Sequence, residues 1–306
     1  MTHGQRTHND EFEVSIIVAT YNRAPSLARF LASVDSLAGL DSTTIEVLVV
    51  DNDSTDDTAK LLIEEQRKPR KFLLRALRET ERGRASTINC GLRACRGEII
   101  CLMDDDVVLD RNWLTGLLHS YGTSAFAAFQ GKVLPGVDPS GKPPDPKKLY
   151  EYNITIIDRG DRIKETNGMV GVCSFRRAVF EKLGFLDQRL GVGASGFGED
   201  TDFSRRVRAA GLKIGYTPHA VVYHELDPNR YGGRYNRRVR YRMGLSESLY
   251  LDQPLLLNVL PNFIKYSLRW LFYRASCQRR RAYKAEGRLV KCWGYLIGRL
   301  KQKGWA

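Results

Sequence analysis

The stretch Ile99-Ile100-Cys101-Leu102-Met103-Asp104-Asp105-Asp106-Val107-Val108-Leu109 restricts the fold more than any other. Its opening apolar run has the length of a strand buried on both faces, as in an α/β sheet. The run stops at three consecutive carboxylates and then turns apolar again. Ligands of such sheets bind beyond the carboxyl ends of the strands. Adjacent acids repel, so they need good solvation or a positive partner. A hard divalent cation, which takes oxygen ligands and bridges to phosphates, is one solution. A solvated acidic turn ahead of the helix that starts near Asn112 is the other.

The neighbouring segments repeat the pattern. Val14–Ala19 is a β-branched apolar run leading into Thr20-Tyr21-Asn22-Arg23. Ala24-Pro25-Ser26 then opens a helix with Leu27, Phe30, Leu31 and Val34 on one face. Ile45–Val50 is a second buried strand, and Asp51, at its carboxyl end, is the acid expected to touch a ligand. Ser54 or Thr55 caps the next helix, with Asp56 and Asp57 at its positive end. A strand over 72–77 and a helix over 85–95 complete an alternation that predicts a mostly parallel sheet. Beyond Trp113–Leu118 the pattern changes to shorter strands over 125–130 and 132–134 and a Pro-, Gly- and Lys-rich loop over 135–148.

Gly191-Val192-Gly193-Ala194-Ser195-Gly196 formally matches GxGxxG, but no buried strand precedes it and no βαβ unit surrounds it. It reads as a flexible glycine loop. Glu199 and Asp200 follow in the turn into a helix carrying Phe203, Val207 and Ala210, whose N-terminus favours ionised carboxylates. N-capping by Asp200 is the plain alternative. Lys213–Thr217 and Ala220–Tyr223 read as a strand pair around Pro218, ending at His224-Glu225.

Charge is distributed unevenly over the 306 residues. Residues 1–235 carry 32 Lys and Arg against 32 acids, and residues 236–306 carry 16 against 3, which accounts for the whole net +13. A neutral body with a basic tail calls for an anionic partner for the tail. The six cysteines form no CxxC pair or zinc spacing, consistent with a reducing compartment. Met1–Glu13 lacks the apolar core of a signal peptide, so a cytoplasmic location is expected.

Taken together, Val14–Asn22, the Val49–Asp56 segment, Asp104-Asp105-Asp106 and Gly198-Glu199-Asp200 resemble, in order and spacing, the motifs of family 2 glycosyltransferases. The resemblance covers about residues 12–230. It implies the GT-A fold, an α/β, Rossmann-like architecture with a mostly parallel central sheet and a smaller mixed one. It further implies a nucleotide-sugar donor, most commonly a UDP-sugar, a divalent metal (Mn²⁺ or Mg²⁺), and inversion at the anomeric carbon. Position by position, Thr20, Tyr21 and Asp51 match residues that hold base and ribose. Asp104 and Asp106 match the DxD acids; the resemblance implies that Asp104 and Asp105 contact the nucleotide sugar and that Asp106 is the direct metal ligand, with Asp104 and His224 also at the metal. Asp200 matches the catalytic base of the ED motif, with Glu199 beside it. His224 resembles a late histidine near the metal and diphosphate. Two departures stand out. Asp51-Asn52-Asp53-Ser54 replaces Asp-Asp-Gly-Ser, and Thr87-Ile88-Asn89 replaces Ala-Arg-Asn, leaving Arg84 as the candidate for the missing arginine's contact with the nucleotide.

The expected organisation is a polar tail over 1–12, a GT-A domain over 13–235 and basic amphipathic helices over 236–306. Pro254–Tyr273 is the most apolar stretch of the tail, but Lys265 and Arg269 interrupt it, which disfavours a spanning helix. Phe263, Tyr266, Trp270 and Tyr273 recur at helical steps, a pattern suited to a helix lying in a membrane interface. The alternative is a helix packed on the body with a solvated basic face. No nucleic-acid motif is present, so a nucleic-acid partner is not expected. The expectation is therefore a hexosyl- or deoxyhexosyltransferase acting on a glycan or lipid-linked acceptor in polysaccharide, O-antigen or glycolipid assembly. It would be peripheral on the inner face of the cell membrane, attached through residues 236–306 to its anionic surface. A nucleotidyltransferase, or an inactive homologue serving as a membrane scaffold, are the alternatives.

Overall fold

The computed structural model describes residues 12–304, so residues 1–11 of the expected polar tail lie outside the described residues. The chain forms two compact units. One comprises residues up to 136, 155–187 and 203–225; the other comprises 137–154, 188–202 and 226 onward.

The first unit is built on β1 (Val14–Thr20), β2 (Ile45–Asp51), β3 (Leu73–Arg78), β4 (Ile99–Asp104), β5 (Val107–Leu109), β6 (Ala128–Pro135), β7 (Lys164–Glu165), β8 (Cys173–Arg176) and β9 (Ile214–His224). They form one nine-stranded sheet in the order β3-β2-β1-β4-β8-β6-β9-β5, with β7 on β9. β3, β2, β1 and β4 are mutually parallel, whereas β8 is antiparallel to both β4 and β6. Because β8 bridges β4 to β6, the expected smaller mixed sheet is continuous with the parallel one. Strand order reverses at β1, which places a topological switch point between β1 and β4.

Successive residues of the buried strands serve two cores, as a period of two requires. Ile16, Val18, Val47, Val49, Cys101 and Met103 face one layer, with Leu27, Phe30 and Leu31 of α1 (Ala24–Asp35) and Trp113 and Leu117 of α4 (Trp113–Gly122). Ile17, Leu48, Val50, Ile100 and Leu102 face the other. There they meet Ile88 and Leu92 of α3 (Arg84–Ala94), Val179 of α5 (Arg177–Leu183), and Phe203 and Val207 of α6 (Glu199–Ala209).

Two local readings are corrected. Asp56, not Ser54 or Thr55, serves the start of α2 (Thr58–Gln66): its Oδ1 accepts from the Thr58 N–H at 3.0 Å while its Oδ2 accepts from the Ala24 N–H at 3.1 Å. One carboxylate thus satisfies the amino termini of two helices. Likewise, Pro218 does not divide a strand pair but lies within the continuous β9. Thr217 pairs with Gly131 and Val221 with Lys132, so Pro218 falls in a bulge, where no ladder donor is needed.

The second unit is mainly helical, with α7 (Gly232–Tyr250), α8 (Leu260–Ala275) and α9 (Arg279–Gln302). α7 and α9 approach closely at Gly294, where an added Cβ would come within 2.2 Å of the Tyr241 carbonyl oxygen. In α8 the aromatic row is not the outward face. Phe263 lies 6.2 Å from Trp293 between ring centroids, and the guanidinium groups of Arg288 and Arg281 lie over Tyr266 and Tyr273 at 5.3 and 5.9 Å. The rings turn toward α9 because its Trp and Arg side chains offer stacking and cation–π partners. Among the described residues, no helix is long and apolar enough to cross a membrane.

Candidate active site

In the first unit the candidate residues collect at the carboxyl ends of β1, β2 and β4 and the end of β9. Strand register sets their places: Thr20 lies beside Asp51, and Ala19 beside Asp104. Antiparallel pairing of Val107 with His224 returns the histidine to the acidic turn, and the Glu225 N–H donates to the Asp106 carbonyl at 2.8 Å.

The three acids have different surroundings. Asp104 accepts from Arg84 Nε at 3.1 Å and Nη2 at 2.7 Å. Asp105 is buried, accepts from the Thr20 hydroxyl at 2.8 Å and faces Arg23 at 3.4 Å. Burial pushes its carboxyl up, to about 7, with the Arg23 guanidinium opposing and the Asp106 and Asp104 charges adding to the rise. Asp106 is buried as well. One of its oxygens pairs with Arg23, and the other stands 3.7 Å from His224 Nε2.

The histidine is held by its other nitrogen. His224 Nδ1 lies 2.9 Å from the Glu225 carbonyl oxygen, which can only accept, so the proton belongs on Nδ1. In the neutral ring the Nε2 lone pair is then directed to the Asp106 side. A carbonyl fixing one ring nitrogen while the other is presented as a ligand is the usual support of a metal-binding histidine. Glu225 is itself held by Arg29 at 2.8 Å and Ser26 at 3.0 Å. Among the described residues, no group of three or more His, Cys, Asp or Glu is arranged to hold a metal ion unaided.

The nucleotide-binding candidates separate by exposure. Thr20 is buried and its hydroxyl is directed to Asp105, whereas Tyr21 is 43% exposed, with the Arg82 guanidinium 4.5 Å above its ring. Asp51 is buried and accepts from the Ser54 N–H at 3.1 Å. Asn52, the departure from Asp-Asp-Gly-Ser, has a clear local task. Its Nδ2 donates to the carbonyls of Glu79 and Glu81 at 2.9 and 2.8 Å, and its Oδ1 accepts from Gly83 N–H at 2.9 Å. That loop leads into α3 and so positions Arg84. The Ile88 that stands in the arginine slot is buried in the core.

Glu199 and Asp200 belong to the second unit. Both open α6, so Asp200 stands inside the first turn and is not an N-cap; its Oδ1 accepts from the Thr201 N–H at 2.6 Å. The preceding glycine loop closes on itself through Gly196 N–H to the Gly191 carbonyl at 2.7 Å. Gly191, at φ +91°, lies so close to buried Glu199 that an added Cβ would be 3.0 Å from its carboxylate. Gly191, the first glycine of that loop, thus leaves room for the buried glutamate.

Arg23 and Glu225 were not singled out by sequence reasoning. A basic residue directly after a strand-end loop, with three acids needing neutralisation, was the available signal for Arg23. Glu225 carried none beyond its place next to His224.

Comparison with known proteins gives the family and the fold. The family model described as glycosyl transferase family 2 matches residues 15–184. The succinoglycan biosynthesis protein ExoM of Rhizobium meliloti is 28% identical over 245 residues, covering 80% of this chain and 77% of the relative. The poly-β-1,6-N-acetyl-D-glucosamine synthase of Staphylococcus epidermidis is 25% identical over 251 residues, and the match spans 80% of this chain but only 57% of that enzyme. Among solved structures, the mannosyltransferase PcManGT from Pyrobaculum calidifontis, in complex with GDP-Man and Mn²⁺, superposes with a TM-score of 0.65 at 18% identity, covering 96% of this chain and 89% of that one. S. aureus TarS with UDP-GlcNAc follows at a TM-score of 0.54 and 15% identity, covering 95% and 92%. These likenesses establish the GT-A fold and set the nucleotidyltransferase alternative aside: the chain belongs to glycosyltransferase family 2, with relatives in succinoglycan and polysaccharide synthesis.

Proposed function

We propose that this glycosyltransferase transfers a sugar, with inversion, from a nucleotide-diphosphate donor to a hydroxyl of a glycan or lipid-linked acceptor, in polysaccharide, O-antigen or glycolipid assembly. One observation carries the reading: a histidine whose Nδ1 is committed to a carbonyl presents Nε2 3.7 Å from the Asp106 carboxylate, at the end of the acid-tipped strand.

Asp106 and Asp104 would supply carboxylate oxygens, which suit Mn²⁺ or Mg²⁺, and His224 an imidazole nitrogen beside them. Such ions commonly take only one or two protein carboxylates and complete their shell with substrate phosphates and water, so a larger protein cluster is not required. When bound, the cation neutralises charge that develops on the departing diphosphate. Arg23 and Arg84, already paired with these acids, are cations at the same strand ends and would oppose that charge as well. Thr20, Tyr21 and Asp51 belong to the strand ends assigned to base and ribose. Asp200 is assigned the proton of the acceptor hydroxyl, with Glu199 beside it, on the strength of the ED match. Attack opposite the leaving group inverts the anomeric carbon. A uridine donor remains the first choice. Peripheral attachment at the cytoplasmic face of an anionic membrane through residues 236–306 accounts for the net positive charge that this region carries.

The test is a panel of nucleotide sugars assayed for nucleoside diphosphate release with Mn²⁺ or Mg²⁺, with the product's anomeric configuration read by NMR. Metal-dependent release and an inverted product support the proposal. A retained configuration overturns inversion, and absence of turnover with every donor favours the inactive scaffold.

A further inference from the structure

The second unit carries an apolar surface whose fold gives it no cover. Leu256 and Leu257, in the single π-helical turn Leu255–Val259, are 77% and 84% exposed. Leu260, Ile264, Leu268, Leu271 and Phe272 continue the line along α8. Steps of three and four keep them on one face, and Leu268 and Phe272 are still 62% and 63% exposed. Scattered exposed leucines need no explanation, but a contiguous row of seven large apolar side chains does.

We infer that this Leu/Ile face of α8, with the preceding turn as its tip, is the element that inserts into the acyl boundary of an anionic lipid bilayer. The inference rests on the peripheral-membrane reading above and names the face responsible. Charge identifies the occupant. Lys265 and Arg269 each follow a stripe residue by one position, about 100° round the helix, and Arg274 lies on the opposite flank. Arg279, Arg280 and Arg281 open α9 and are exposed. A face bordered by cations on both sides repels a second copy of itself and attracts phosphate headgroups. The aromatic row completes the geometry. Phe263, Tyr266 and Tyr273 are engaged with α9, so the outward row is purely aliphatic apart from Phe272 and has no polar atom to satisfy in the acyl region. α8 has 16 residues with two cations near its middle, which fits a helix lying in the interface rather than crossing it.

The test uses the full chain with vesicles of phosphatidylcholine alone and of phosphatidylcholine mixed with phosphatidylglycerol. The wild type is expected to cosediment with the mixed vesicles. Leu257→Glu/Leu268→Glu, at exposed positions that leave the core untouched, is expected to lower the partition coefficient tenfold or more. Lys265→Gln/Arg269→Gln is expected to lower it less, chiefly at low salt. An added Leu268→Trp reporter should be quenched by brominated acyl chains. Binding that vanishes with salt and ignores the leucine pair overturns the insertion face while leaving electrostatic attachment in place. No binding of the wild type overturns both. If the leucine pair changes the sedimentation coefficient of the free protein and not its lipid binding, the face belongs to a second copy and the inference fails.

Discussion

Asp106→Asn separates a carboxylate held for chemistry from one held for stability. The substitution keeps the side chain's shape and removes its charge. Arg23 loses an anionic partner, and a hydrogen bond to a charged group is worth about 1.5–3 kcal/mol. Opposing this, Asp105 loses a like-charged neighbour that helps push its carboxyl up. Two full like charges about 5 Å apart repel by about 3 kcal/mol at an effective dielectric of about 20, and Asp105, raised to about 7, carries only part of its charge near neutral pH, so the relief is about 1–3 kcal/mol. The two effects nearly cancel, so stability should change by no more than about 2 kcal/mol, or about 5 °C in Tm. Turnover has no such offset. Loss of a group that stabilises the departing diphosphate should cost about 10³-fold, or about 4 kcal/mol on the barrier. Scanning fluorimetry gives the first quantity, and diphosphate release under saturating donor and Mn²⁺ gives the second. Turnover within about threefold of wild type, or a Tm drop beyond about 10 °C that accounts for lost activity by unfolding, would remove the catalytic role given to Asp106.

Asp200→Asn should reduce transfer by about 10³-fold while the donor Kd stays within about threefold, measured by calorimetry; equal losses in both would remove its role as base. Exhaustive chelation should abolish turnover, and Mn²⁺ or Mg²⁺ should restore it; full activity after chelation would remove the metal role given to Asp106 and His224. Glu46→Ala tests the fold beneath the site. Its fully buried carboxylate accepts from Ser15 at 2.6 Å and Arg75 at 2.9 Å. Breaking such a pair costs about 3–5 kcal/mol. Because Arg75 can still reach the Ala94 carbonyl at 2.9 Å, the low end is expected, a Tm fall of about 5–10 °C by calorimetry; a fall under about 2 °C would show that the pair is redundant.

The parallel half of the sheet is legible because β1, β2 and β4 are apolar runs too short for helices, each closed by a polar strand end, and the carboxyl ends of β2 and β4 carry Asp51 and Asp104. What the sequence could not show were relations fixed by long-range pairing. Asp56 reaches the start of α1 as well as α2, which propensity at Ser54 or Thr55 could not reveal. Pro218 looked like a break, since its tolerance depends on a bulge opposite Gly131 and Lys132. Arg23 looked like an ordinary loop residue until β4 placed Asp105 and Asp106 beside it. In α8 the periodicity of the aromatic row and that of the leucine row are equally good. Only the Trp and Arg side chains of α9 decide which one turns inward.

Anomalous diffraction at the manganese edge from crystals soaked with Mn²⁺ and a nucleoside diphosphate would locate the cation at the acid-tipped strand end directly. A single strong peak bonded to the Asp106 carboxylate is expected, with His224 Nε2 and diphosphate oxygens around it. A peak bound elsewhere, or none at that strand end with the diphosphate in place, would contradict that placement.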